Sequence, residues 1–281
     1  MKLSVVIVNW NSGGYLARLI GSLSPLSHDL EEVIVVDNAS VDSSHKGLEF
    51  NSGLTVHSLE ENLGFAGAAN LGISKAISDF VLLLNPDLVV VPEAVKTLYE
   101  LITLNSRAAI ACGALLGERG ESQQDFQIRS FPTVFSVISD AIFLDELTGW
   151  LGGGDAPQSL EPSTADQPRR IDQPAAAFWL LRKEAWKSIG GFDEGFFPAW
   201  FEDVDFCRRL KVRGWEILYL PLPCAHHKGG ASLQHMSYKD FVGHYYRNQL
   251  VYWAKHHSMT LPVVWLPVKL GALMRRIFIR K

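Results

Sequence analysis

The sequence predicts an α/β fold, a mostly parallel sheet flanked by helices, and three observations predict it. Short β-branched or aliphatic runs alternate with helical periodicity four times in under ninety residues. That alternation calls for parallel strands joined by crossover helices. The runs Val33–Val36 and Val81–Leu84 are apolar at every position rather than at every second one, which marks strands covered on both faces. Each strand also ends at polar residues, Asn9-Trp10-Asn11, Asp37-Asn38 and Asn85-Pro86-Asp87. Ligands of open parallel sheets sit in the crevice beyond such carboxyl ends.

Leu3–Val8 reads as the first strand, followed by a loop through Gly14 and a helix near Tyr15–Leu23 with Leu16, Leu19, Ile20 and Leu23 on one face. The loop has neither the GxGxxG nor the GxxxxGK[ST] pattern, so no dinucleotide fingerprint or Walker loop is present. Glu32–Asp37 is the second strand; Asp37 at its tip can accept hydrogen bonds from a base or ribose, while Ser40 and Asp42 read as turn and cap residues. A third strand near Leu54–Leu59 leads to Gly64, Ala66, Gly67, Ala68 and Ala69. Small residues at a helix start let a phosphate approach the backbone, but tight helix-on-sheet packing asks for the same residues. That helix runs to about Ile77. The next strand, Phe80–Asn85, must stop at Pro86, which cannot donate to a ladder. Asp87 is then fixed at a strand tip, either as a carboxylate able to hold a divalent cation against a diphosphate or as part of an ordinary turn.

Pro92–Leu104 reads as a helix and Ala108–Ala114 as a strand. Periodicity is lost from Glu118 to Gln173 and returns at Ala175–Arg182 and the short helix Lys183–Ile189. A helix over Trp200–Leu210 closes at Gly214, so Glu202, Asp203 and Asp205 lie at its N-terminal end, where the dipole favours carboxylates whatever their function. Glu216–Leu220 is a strand, followed by a loop bearing His226 and His227. Tyr238–His257 is an amphipathic helix. Leu261–Lys281 is apolar, broken by Pro262 and Pro267, and basic at its end.

With 281 residues, 47% of them hydrophobic, the chain can fill one large α/β core. A net charge of −4 gives no basic field, which excludes nucleic acid as the main partner. Cys112, Cys207 and Cys224 are far apart and odd in number, which suits a reducing compartment and excludes a disulfide framework or a cysteine zinc site. The N-terminal apolar run is too short for a signal peptide, and no stretch reaches 18 uninterrupted apolar residues.

The ordered set VVIVNWNS (5–12), EVIVVDNAS (32–40), NLGFAGAANLG (62–72) and LLLNPD (82–87) resembles the family 2 glycosyltransferases of the GT-A, Rossmann-like fold, in particular their bacterial rhamnosyltransferase-like branch, over about residues 3–255. The resemblance implies a nucleotide-sugar donor held by Asn9, Asn11, Asp37, Asn38, Asn62, Gly64, Phe65, Asn70, Asn85 and Asp87. It places Asn85-Pro86-Asp87 on the Asp-x-Asp motif, with Asn in the first position, so that metal coordination rests on Asp87. It makes Glu202-Asp203 the catalytic pair, with Asp203 as general base, and His227, rather than His226, a metal ligand. The implied cofactor is Mg²⁺ or Mn²⁺; the implied partners are a dTDP- or UDP-sugar, with rhamnose as the leading sugar, and a cell-envelope saccharide or lipid-linked acceptor.

Transfer to a hydroxyl needs a carboxylate to take its proton, and a base facing a departing diphosphate implies a single displacement with inversion. A non-catalytic nucleotide-sugar-binding scaffold of an envelope assembly complex is the alternative, which the joint presence of Asp87, Glu202, Asp203 and His227 disfavours. The expected organisation is a glycosyltransferase domain over 1–255, with 118–173 a partly mobile loop region on the acceptor side, and an apolar, basic tail over 256–281 that forms a C-terminal helical, amphipathic extension. That tail either touches an anionic membrane, at the inner face of the cytoplasmic membrane, or docks on the domain or in an oligomer.

Overall fold

The computed structural model describes residues 1–50, 53–142, 167–230 and 235–278. Its first half alternates as the sequence predicts: β1 (Leu3–Asn9), α1 (Tyr15–Leu23), β2 (Glu32–Asp37), β3 (Leu54–Ser58), α2 (Gly64–Lys75), β4 (Phe80–Leu84), β5 (Leu88–Val90), α3 (Pro92–Leu104) and β6 (Ala108–Leu116). Three short elements follow, α4 (Gln124–Gln127), β7 (Ile128–Arg129) and α5 (Val134–Ala141), and then two-residue strands β8 (Arg169–Arg170) and β9 (Gln173–Pro174). The chain continues through β10 (Phe178–Arg182), α6 (Lys183–Ser188), α7 (Glu202–Val212), β11 (Glu216–His227), α8 (Tyr238–His256) and α9 (Leu261–Phe278).

The main sheet has the order β3-β2-β1-β4-β10-β6-β11-β5, with β8 paired on β11. β1 to β4 run parallel, as do β6 and β11. β10 is inserted antiparallel between β4 and β6, and β5 antiparallel on β11. One face is covered by α1 and α3 through Leu16, Leu19, Leu23, Val95, Leu98 and Ile102. The other is covered by α2, α6 and α7 through Ala66, Ala69, Ile73, Ala185, Phe206 and Leu210. Burial on both faces is why β2 and β4 carry uninterrupted apolar runs. The small residues of α2 serve this packing at least at Gly72, where an added Cβ would lie 2.5 Å from Val6 Cγ1.

One sequence expectation changes. The last long strand does not end at Leu220 but continues to His227, shifting register against β6 between Leu220, Pro223 and Ala225. Bulges absorb the two prolines, so His226 and His227 stand on a strand opposite Val89 and Leu88 rather than in a loop. The segment 118–173 is ordered at both ends, where β7 pairs with β9; residues 143–166, its Gly- and Pro-rich middle, lie outside the described residues.

The tail is a helix with Pro267 inside it. Val264 and Val268 are fully buried in a third core with Val137 and Ala141 of α5 and Tyr246 and Trp253 of α8. Gly271 lies so close to the Ala141 carbonyl that no side chain would fit there. Arg275 Nη2 donates to the Asp140 carbonyl at 2.6 Å and Nη1 to that of Ala141 at 3.4 Å, capping the C-terminus of α5. α9 is therefore docked along one face. Its other face leaves Val263, Trp265, Leu266, Leu270, Leu273 and Ile277 about half exposed.

Candidate active site

A cavity of about 820 Å³ opens beyond the tips of β1, β2 and β4. Its sheet-side wall carries Trp10, Asn38, Asn62, Phe65, Asn85 and Asp87. Asn38 is fixed there by a Leu63 N–H donating to its Oδ1 at 2.8 Å, while its Nδ2 donates to Asn62 Oδ1 at 2.9 Å and to the Gly64 carbonyl at 3.1 Å. Gly64 has φ +72°, and a Cβ there would lie 2.8 Å from the Pro198 carbonyl. That position requires glycine on both counts. The same carbonyl accepts from Phe65 N–H at 2.7 Å, joining the 62–65 loop to the segment before α7.

The remaining residues read as donor-binding lie behind this wall. Asp37 Oδ1 accepts from Asn9 Nδ2 at 2.7 Å and Oδ2 from Ser40 N–H at 3.2 Å, with His45 Nδ1 3.3 Å away. Asn11 Oδ1 accepts from Val41 N–H at 2.8 Å. Together they tie the tips of β1 and β2. Asn70 receives Phe192 N–H and Trp186 Nε1–H on its Oδ1 and donates to the Phe192 carbonyl and Glu194 Oε1. Its amide is saturated by the protein. Asn9, Asn11, Asp37, Gly64 and Asn70 are not among the residues lining the cavity.

Asp87 and His227, both at least nine-tenths buried, meet at the cavity floor with Oδ1 and Nε2 3.4 Å apart. A carboxylate oxygen and an imidazole nitrogen brought together at a buried strand end are donors of the kind that Mg²⁺ or Mn²⁺ accepts, so the pair would suit such an ion. His226 points away, with Nδ1 3.3 Å from the Gly117 carbonyl.

The opposite wall is helical. α7 begins after Trp200 and Phe201, whose φ values of 74° and 71° are left-handed for bulky residues, a conformation that persists only when the surroundings impose it. Asn248 of α8 imposes it: its Nδ2 donates to the carbonyls of Ala199 at 2.8 Å and of Phe197 and Trp200 at 3.3 Å, and its Oδ1 accepts from Arg247 at 2.9 Å. Asp203 then lines the cavity with Oδ1 on Val204 N–H at 2.8 Å and Oδ2 on Arg129 Nη2 at 3.2 Å. Beside it, burial and the Asp203 charge push Glu202 well above the usual carboxylate range, favouring its protonated form. Asp205, three residues on from Glu202, behaves oppositely. Its burial would raise it, but His256 at 2.7 Å, Arg209 at 2.7 Å and Lys255 at 2.8 Å outweigh that and hold it below the usual range. It fastens α8 to α7, away from the cavity.

Sequence reasoning missed Arg129, Gln249, Gln123 and Asn248. Arg129 and Gln123 sit in a stretch without motif, and Gln249, which lines the cavity, and Asn248 carried no signal beyond their place on an amphipathic helix.

Residues 4–151, more than half of the chain, match the family described as Glycosyl transferase family 2. The chain belongs to that family. Family 2 membership makes it a glycosyltransferase, and its relatives place it near rhamnosyltransferases. It is 27% identical over 234 residues to the rhamnosyltransferase WbbL of Escherichia coli K12, covering 79% of this chain and 83% of that one. It is 26% identical over 274 residues to the N-acetylglucosaminyl-diphospho-decaprenol L-rhamnosyltransferase of Mycobacterium tuberculosis, covering 91% and 85%. In fold it resembles S. aureus TarS 1–349 in complex with UDP, at TM-score 0.54 and 19% identity over 99% of this chain and 72% of that one. GalNAc-T7 with UDP, GalNAc and Mn²⁺ matches at TM-score 0.59 and 16% identity, over 81% of this chain and 44% of that one.

Proposed function

We propose that this glycosyltransferase moves a sugar, rhamnose first among candidates, from a dTDP- or UDP-linked donor to a saccharide or lipid-linked acceptor of the cell envelope, with inversion. The observation that carries the reading is that Asp203 and the Asp87–His227 pair line one cavity. Asn38, Asn62, Phe65 and Asn85 would receive the nucleotide-sugar on the sheet side, with Asn9, Asn11, Asp37, Gly64 and Asn70 shaping the wall behind them. Asp203 would take the proton of the attacking hydroxyl, held in place by Arg129 and the Val204 N–H. Glu202, at the same wall, can donate a hydrogen bond to an acceptor hydroxyl when protonated, the form its burial favours. Asp87 and His227 would hold Mg²⁺ or Mn²⁺, which when bound neutralises charge on the departing diphosphate.

The test is donor consumption with a panel of nucleotide-sugars, with and without chelator. Loss of activity with chelator and its return with Mn²⁺ support the metal; full activity in chelator refutes it. Asp87→Ala and His227→Ala should each weaken metal-dependent binding of UDP or dTDP in calorimetry.

The reading includes the inner face of an anionic membrane as the place of work. Among the described residues no helix is long and apolar enough to cross a membrane. α9, however, presents Trp265, Leu266, Leu270 and Leu273 outward beside Lys269 and Arg276, and no Asp or Glu follows Asp240 in the chain. Basic residues near an anionic leaflet contribute about 1 kcal/mol each and buried apolar side chains add to that. Because α9 also completes a core, deleting it would confuse docking with folding. Trp265→Ser with Leu266→Ser and Leu270→Ser changes the outer face alone, and should abolish flotation with anionic vesicles that wild type shows at low salt. Equal flotation by both would remove α9 from that role.

A further inference from the structure

We propose that Gln123 is a positioning residue that locks His227 in the tautomer able to bind a metal. The proposal rests on the reading of His227 as a metal ligand. β6 ends in a tight turn, with Gly117 N–H donating to the Glu121 carbonyl at 2.7 Å, and returns so that Gln123 N–H donates to the Leu115 carbonyl at 3.0 Å. This brings the Gln123 side chain against the end of β11. There its Nε2 donates to the main-chain carbonyl of His227 at 2.8 Å, and its Oε1 stands 2.8 Å from the Nδ1 of the same residue.

The two contacts decide each other. A carbonyl only accepts, so the amide must turn its nitrogen to His227 O and its oxygen to the ring. An amide oxygen also only accepts, so Nδ1 must carry the proton. The neutral ring is then left with its lone pair on Nε2, the atom that faces Asp87 Oδ1 at 3.4 Å. A free histidine side chain prefers the other tautomer, with the proton on Nε2, in which that nitrogen cannot ligate. A partner on the remote ring nitrogen is how proteins orient metal-binding imidazoles, and its loss typically lowers metal affinity about 10- to 100-fold. Gln123 supplies the partner from a segment whose main chain is anchored independently, so the side chain can be changed without removing the turn.

The experiment uses the full chain labelled with ¹⁵N-histidine, at a pH where the imidazoles are neutral. Long-range ¹H–¹⁵N spectra report which ring nitrogen is protonated, with His227 assigned by its loss in His227→Gln. Mn²⁺ affinity in the presence of UDP is read separately by electron paramagnetic resonance. Wild type should hold Nδ1–H. Gln123→Met, of similar length without the hydrogen bonds, should move His227 towards Nε2–H and weaken Mn²⁺ binding about 10- to 100-fold. Gln123→Glu keeps an acceptor for Nδ1–H and should retain the tautomer, with Mn²⁺ affinity far closer to wild type than that of Gln123→Met. Nε2–H in wild type, or an unchanged tautomer in Gln123→Met, overturns the proposal. Measurable and equal Mn²⁺ affinity in wild type and Gln123→Met also overturns it. A wild type that holds Nδ1–H yet binds no Mn²⁺ with UDP refutes the metal reading and supports the lock.

Discussion

The two walls of the cavity are held in place by different forces. On the sheet side, Asn38, Asn85 and Asp87 follow directly on strands whose ladders are continuous across β3, β2, β1 and β4. The ladder fixes the backbone, and side chains at its tips inherit that order. On the helical side, Glu202 and Asp203 follow two left-handed residues and depend on polar contacts from distant segments, Asn248 on α8 and Arg129 on β7. The first wall is fixed by many equivalent hydrogen bonds and the second by a few singular ones. Single substitutions on the helical side should therefore carry the larger penalties.

Asp205→Ala should sharpen that contrast most. It leaves Arg209, Lys255 and His256 facing one another around an empty buried position, and removing one partner of such a cluster costs about 3 kcal/mol, the lower end of the range because Lys255 and Arg209 are partly solvated. Urea unfolding would measure it. Wild-type stability in that variant would mean that α8 is not fastened there. Asp203→Asn removes the proton acceptor at nearly constant size, so turnover should fall by about 10²-fold or more while calorimetric donor binding stays near wild type. Near-normal turnover would end the assignment of the base.

Asn248→Ala releases three carbonyls and the strained pair before α7. A loss of about 1–3 kcal/mol and a turnover loss of about tenfold follow if the clamp positions Asp203. Unchanged kinetics would break the distinction between the walls.

Glu202 gives the smallest effect and a sign. Its folded pKa lies above the unfolded one, so the stability it confers is complete below the ordinary carboxylate pKa and declines as pH rises towards the elevated folded value. Glu202→Gln removes that decline. Its melting temperature should exceed that of wild type by about 2–4 °C near pH 8 and match it near pH 4, given a gain of about 1 kcal/mol. The reverse order at pH 8 would contradict a raised Glu202 pKa.

How far the sequence could be read follows the same division. β1, β2, β4 and α3 were legible because their burial pattern is local, and Pro86 marks the strand end that presents Asp87. Asn70 shows where motif outran geometry: the resemblance assigns it to the donor, but four contacts with Trp186, Phe192 and Glu194 occupy its amide. β11 was read too short because Pro221 and Pro223 look like terminators, and only its pairing with β6 reveals the bulges that carry them. Arg129 and Gln123 were invisible because each acts on a residue 74 or 104 positions away, from a stretch without periodicity. The helical extension expected at the tail is present as α9, although Pro262 and Pro267 interrupt its sequence. Pro262, however, stands in the first turn, where no donor is needed, and packing on α5 and α8 sustains the helix past Pro267.

The measurement that bears most directly on one cavity performing a single displacement is the configuration of the sugar released when water replaces the acceptor. Proton NMR during donor hydrolysis, read before mutarotation scrambles the anomers, identifies the first-formed product. With Asp203 as base and the diphosphate leaving from the opposite face, that product has the configuration opposite to the donor's. Retention, by a covalent intermediate on a carboxylate or by attack on the face the diphosphate leaves, would contradict the account.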